Sequence, residues 1–146
     1  AAALLGVWSA DPEPAVRREV LLAFGYVGDR SDEVVAAVVA ALADKDVDLR
    51  RQAALTLGRL GSAAVAAKDA VLTAFKRDAD KLVRMYLIRP AVVASGGAEA
   101  AIPLLTEQLA AELAKPEDAF EVRVAIVEEL GSFGPAGKPA LPALRA

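Results

Sequence analysis

The chain has no cysteine and no histidine. Without them these 146 residues hold no thiolate nucleophile, no Ser-His-Asp triad, no zinc-finger cluster and no imidazole-ligated iron or zinc. No disulfide can support the fold, and the missing thiols leave the redox compartment open. Aromatic residues are few, at 5% of the sequence, so aliphatic side chains must build most of any core. Long hydrophobic runs are also missing. The longest uncharged apolar run in the interior, residues 34–43, is about half of what a bilayer crossing needs. There is no excess of positive charge: 17 basic and 20 acidic residues leave a net charge of -3. A duplex-binding module concentrates positive charge, so the composition argues against a nucleic-acid partner.

What is abundant is alanine, with 34 residues. Alanine has the highest helix propensity and lets helices approach closely, which favours helix over sheet. The length suits one compact domain or a short repeat array. The apolar start, residues 1–10, has neither an initiator Met nor a basic segment. It reads as an interior stretch of a longer chain rather than as a signal peptide.

An internal repeat organises the rest. Four aliphatic-arginine anchors stand at Val16-Arg17, Leu49-Arg50, Val83-Arg84 and Val122-Arg123, spaced by 33, 34 and 39 residues. Five positions before each anchor is an acid: Asp11, Asp44, Asp78 and Glu117. Nine positions after come Gly25, Gly58, Val92 and Gly131, and twelve after come Gly28, Gly61, Ser95 and Gly134. The third copy is the degenerate one. Apolar residues recur at the anchor and at four, eight and eleven positions beyond it, as in Val16, Val20, Phe24 and Val27, a helical period. The preceding acid suits a helix N-terminus, and the glycine at the far end suits a C-cap. Each copy also carries a second apolar segment, at residues 33–43, 64–75, 98–113 and 136–146, each predicted as a helix. Paired antiparallel helices stacked in one direction make an all-α architecture, an α-α superhelix or α-solenoid. Its units fall at about residues 1–30, 31–62, 63–97 and 98–134, with a partial unit at 135–146.

The stretches DKDVDLRRQAALTLGRLG (residues 44–61) and DPEPAVR (residues 11–17) resemble HEAT repeats, particularly the bacterial HEAT-like type found in phycobilisome lyases. Pro103 and Pro142 match the proline often found in the first helix of such a unit. The resemblance implies that acid and arginine form an ion-pair ladder of structural residues: Asp11, Arg17, Asp44, Arg50, Asp78, Arg84, Glu117 and Arg123. Arginine suits that role because its planar fork can hold turn carbonyls and a carboxylate together.

The resemblance also implies that the anchor helices line the concave side. Positions two, six and ten beyond each anchor then face solvent. They are Arg18, Leu22 and Tyr26; Arg51, Leu55 and Arg59; Met85, Arg89 and Val93; and Val124, Glu128 and Ser132. Tyr86 adds an aromatic ring to the third copy, where Pro90 should also kink the helix between residues 86 and 91. Basic and apolar side chains together suit a protein or peptide partner, such as an acidic-apolar segment. The 39-residue spacing should lengthen the helix at 98–113 or the loop after it.

The expected function is therefore a non-enzymatic protein–protein interaction scaffold or a segment of a larger assembly. It needs no cofactor, metal or catalytic residue. The alternatives are a nucleic-acid-binding HEAT-like protein and an accessory domain of a HEAT-like lyase. Gly96-Gly97 and the glycines of residues 131–139 fit caps and turns better than a phosphate cradle, and Ser132 has no base to activate it.

Overall fold

The computed structural model describes residues 2–115 and 120–145, and every regular element among them is helical. In chain order these are α1 (Ala2–Ala10), α2 (Pro14–Val27), α3 (Asp32–Leu42), α4 (Val47–Leu60), α5 (Ala63–Ala66) and α6 (Lys68–Arg77). Then follow α7 (Lys81–Tyr86), α8 (Ile88–Ser95), α9 (Ala98–Leu113), α10 (Phe120–Ser132), a 3-10 stretch (Gly134–Ala140) and α11 (Leu141–Arg145).

Helices α4 and α7 start through a two-part device, of which α2 has only the first part because its N-cap, Glu13, makes no side-chain cap bond. The Oδ1 atoms of Asp11, Asp44 and Asp78 each accept the N–H two residues on, at 2.9 Å, which closes the turn before the helix. The residue at the end of that turn is the N-cap itself. Asp46 accepts the Asp48 and Leu49 N–H groups, and Asp80 accepts the Val83 N–H. The sequence pattern assigned one acid to the helix start; the structure divides the work between two.

Helix α2 ends at Gly28, whose φ of 71° is left-handed and whose N–H bonds to the Phe24 carbonyl at 3.0 Å. In the degenerate copy Ser95 occupies the corresponding column, and the left-handed cap moves one residue on to Gly96. A Cβ at Gly28 meets no neighbour, so only backbone strain opposes it. Gly28→Ala is expected to cost about 1 kcal/mol, read as a lower urea midpoint with an unchanged slope.

Two predicted helices turn out broken. The third anchor helix is interrupted at Leu87, between α7 and α8, rather than merely kinked. Pro90 then sits in the first turn of α8, where its missing N–H has no helical partner to lose. The segment at 64–75 is split at Ala67 into α5 and α6. The final segment begins as a 3-10 stretch, because Gly134, Pro135, Gly137 and Pro139 deprive it of helix propensity and N–H donors. Pro103 is tolerated within an unbroken α9, on its exposed side.

Packing produces two rows. Helices α2, α4, α7 and α10 contact one another in succession, and α1, α3 and α6 form the second row. The core between them is aliphatic with two large rings, Phe24 and Phe75, both fully buried. Buried alanines such as Ala41, Ala53, Ala54, Ala64 and Ala91 bring the helix axes close together. Hydrogen bonds also cross the stack: Thr56 donates its hydroxyl to the Leu21 carbonyl at 2.9 Å, and Arg30 Nε donates to the Leu60 carbonyl at 2.8 Å. The molecule is thus an all-α solenoid.

Candidate functional site

Two sets of polar side chains run along the row formed by α2, α4, α7 and α10. The first joins each turn to the next. Arg50 donates from Nη1 to the Asp44 and Lys45 carbonyls of its own turn, at 3.0 and 3.2 Å. Its Nε and Nη2 reach forward to the carboxylate of Asp78, at 2.9 and 3.3 Å. Arg84 repeats this arrangement. Nη1 holds the Asp78 and Ala79 carbonyls, while Nε and Nη2 grip a carboxylate at 2.7 and 2.9 Å. Arg17 makes a weaker rung, with one 3.4 Å contact to Asp44, and its guanidinium stacks 4.2 Å from the Trp8 ring centroid.

The carboxylate that Arg84 grips belongs to Glu112, not to the repeat-column acid. Glu117 lies outside the described residues. Glu112 is fully buried in the last turn of α9 and also accepts from Gln108 Nε2 at 2.7 Å and Lys115 Nζ at 2.9 Å. Burial would raise its pKa, yet the hydrogen bonds from Arg84, Lys115 and Gln108 hold the carboxyl below the ordinary range. One signal for this residue exists in the sequence: Glu112 follows Arg84 by 28 residues, as Asp78 follows Arg50. At the ends of the ladder, Asp11 receives no side-chain donor and Arg123 makes no ion pair among the described residues.

The second set is the solvent-facing row. Tyr26 is 73% exposed, Leu55 and Val124 are exposed, and Leu22, Met85, Tyr86 and Val93 are half-buried. Its cations are engaged. Arg51 Nη2 and Nε clasp Asp80 at 2.6 and 3.0 Å, and Nη1 reaches Asp48 at 3.1 Å. Hydrogen bonding to Arg51 holds the Asp80 carboxyl below its usual range, and Asp80 in turn raises the Arg51 guanidinium. Arg89 pairs with Glu129 at 3.0 Å, and Arg18 lies 3.7 Å from Glu19.

Arg59 stacks 4.6 Å from the Tyr26 ring centroid and crosses directly over Gly25. A Cβ on Gly25 would stand 3.0 Å from Arg59 Cδ, so this member of the glycine column keeps the stack close. The repeat pattern identified the column without its purpose. The fourth copy reads as acidic through Glu128 and Glu129, but the pairings of Arg51 with Asp80 and of Arg89 with Glu129 were missed, because they join side chains 29 and 40 residues apart. The row is therefore a mixed surface of apolar, aromatic and arginine side chains, its arginines paired with carboxylates or stacked on Tyr26 while Arg59 and Arg89 stay exposed.

Among the described residues no helix is long and apolar enough to cross a membrane. A family profile described as HEAT repeats matches residues 1–90. No curated protein matches the chain.

Proposed function

The chain belongs to the HEAT-repeat family, and from that premise we propose that it is a non-enzymatic scaffold that receives a protein or peptide segment along the exposed row of α2, α4, α7 and α10. HEAT repeats are commonly protein-interaction scaffolds and the family is generally non-catalytic. The observation that carries the reading is that each helix of the row presents an apolar or aromatic side chain at its surface, Tyr26, Leu55 and Val124 exposed and Met85 half-buried. Aromatic and Met side chains beside arginine are the residues that interfaces favour.

The neutralised arginines alter the kind of partner proposed. A purely acidic segment would have to displace Asp80 and Glu129, whereas an apolar segment of mixed charge can use the hydrophobic row and exchange only rim contacts. The same pairing weakens the nucleic-acid alternative. Arg17, Arg50, Arg51, Arg84 and Arg89 already hold carboxylates, and Arg59 holds a ring. No shift of duplex DNA is expected even near 50 mM salt, where phosphate contacts are strong.

The test compares proteins recovered by the wild type with those recovered by Tyr26→Glu/Leu55→Glu. Ala40→Glu, on the exposed face of the opposite row, serves as the control. Partners should fall about tenfold with the first variant, equivalent to about 1.4 kcal/mol, and persist with the control. Equal recovery across the three proteins would defeat the reading.

A further inference from the structure

Helix α6 has two faces. Val71 and Phe75 point into the core and are fully buried. Asp69, Ala70, Thr73, Ala74 and Arg77 recur at the spacing of one helical stripe, and all five line an open cleft of about 680 Å³. Opposite them stand Val39, Leu42 and Ala43 at the end of α3. Val39, Ala70 and Ala74 are half-buried, so the floor is apolar and partly exposed. The cleft lies within residues 39–79, in the middle of the stack.

Of the charged residues around the cleft, Asp44, Arg50 and Asp78 have partners. Arg50 and Asp78 hold one another at 2.9 Å, and Asp44 receives Arg17 at 3.4 Å. Asp69 and Arg77 are exposed and make no ion pair or side-chain hydrogen bond among the described residues. They stand at opposite ends of α6, two turns and about 12 Å apart along its axis. The cleft is therefore bipolar, with an unpaired acid at one end of an apolar floor and an unpaired cation at the other. That pattern matches the charge along an antiparallel helix. Acidic side chains favour a helix's first turn and basic ones its last, because of the backbone dipole. A helix running against α6 brings its acidic start to Arg77 and its basic end to Asp69, whereas a parallel helix meets like charge at both ends.

We infer that the α3–α6 cleft binds an amphipathic helix of another protein, antiparallel to α6. Large aliphatic side chains of that helix cover the apolar floor, a carboxylate in its first turn meets Arg77, and a cation about two turns later meets Asp69. Burial of the floor supplies the attraction, and the two charge pairs set direction and register. The cleft is separate from the exposed row of α2, α4, α7 and α10, and the inference does not rest on the role of that row.

The probe is a fluorescein-labelled peptide of about 16 residues, long enough to populate a helix in water, with a leucine stripe, Glu in its first turn and Lys about two turns later. Fluorescence anisotropy should show saturable binding to the 146-residue chain. Thr73→Trp, at an exposed position of the wall, fills the cleft and should weaken binding at least about tenfold. Arg77→Glu sets like charge against the peptide's Glu and should weaken it by a similar factor. A second peptide, with Lys at both positions, should then bind Arg77→Glu more tightly than it binds the wild type. Should Arg77→Glu fail to fold by circular dichroism, Arg77→Gln takes its place and should erase the wild type's preference for the first peptide over the second. Tyr26→Glu/Leu55→Glu should bind the first peptide as the wild type does, which keeps this test apart from that of the exposed row. No saturable binding, equal affinity in Thr73→Trp, a charge preference that Arg77 does not control, or loss of binding in the row variant would each overturn the inference. So would self-association of the wild type in light scattering that Thr73→Trp abolishes, since a second copy would then be the occupant.

Discussion

Glu112→Ala is expected to destabilise the chain by about 3–5 kcal/mol, the range for removing one partner of a buried ion pair. The carboxylate is fully buried and accepts from three side chains, while the Arg84 side chain is only 5% exposed. Its removal leaves that guanidinium with turn carbonyls alone and no counter-charge. Urea unfolding measures the loss as a shifted midpoint. The double replacement Arg84→Met/Glu112→Leu should recover most of it, because the desolvation of both charges disappears along with their attraction.

The pH dependence has a definite sign. The Glu112 carboxyl is held below its ordinary 4.5 in the folded chain. Its contribution is therefore complete above that unfolded value and is lost as the pH falls through the lower folded value. Wild-type stability should decline in mild acid, and Glu112→Gln should flatten that decline. An unchanged acid limb in Glu112→Gln would place the acid sensitivity elsewhere.

Phe75→Ala should cost a similar amount, about 3–5 kcal/mol, through lost burial and the cavity left behind. Phe75 is fully buried at the C-terminal end of α6, a helix that packs on α3, α7 and α8. Its loss therefore loosens contacts on both sides of the middle of the stack. In a stacked array, stability is close to a sum of neighbouring interfaces, so a weakened centre should let the two ends unfold separately. The expected signature is a broadened urea transition with a lower slope and faster amide exchange in α6 than in α2. Tyr26→Ala, at an exposed position, should change stability by less than about 0.5 kcal/mol. A single sharp transition for Phe75→Ala would show that the stack unfolds as one unit despite the cavity.

Much of the fold was legible because its determinants are local. The stripe Val16, Val20, Phe24 and Val27 recurs with helical spacing, and Gly28 marks the stop that the α2 backbone makes. Pro90 announced a disturbance within the third anchor helix, though its severity, a break at Leu87, depends on the packing of α7 and α8. The split at Ala67 has no marker of that kind. It lies in an alanine-rich stretch that local propensity would keep helical, and nothing in the structure explains it.

The surface row was legible as a set of positions, while the partners of its charges were not. Arg51 is basic in sequence yet clasps Asp80 through two nitrogens, and Arg89 makes a single contact to Glu129 while its side chain stays exposed. The repeat pattern placed Gly25 in a column without a purpose, whereas its side-chain-free surface makes room for Arg59 from the next helix of the row.

By itself the sequence determined the period, the helical class, the ends of the main helices and the absence of thiol and imidazole chemistry. All of these follow from residue type and spacing within about one turn or one repeat. The tertiary structure alone decided which charges meet, that Glu112 provides Arg84's rung, and that the arginines of the exposed row have carboxylate or ring partners. Ion pairs and stacking depend on separations of a few ångströms between side chains 27 to 40 residues apart, and only the stacking of the helices sets those separations.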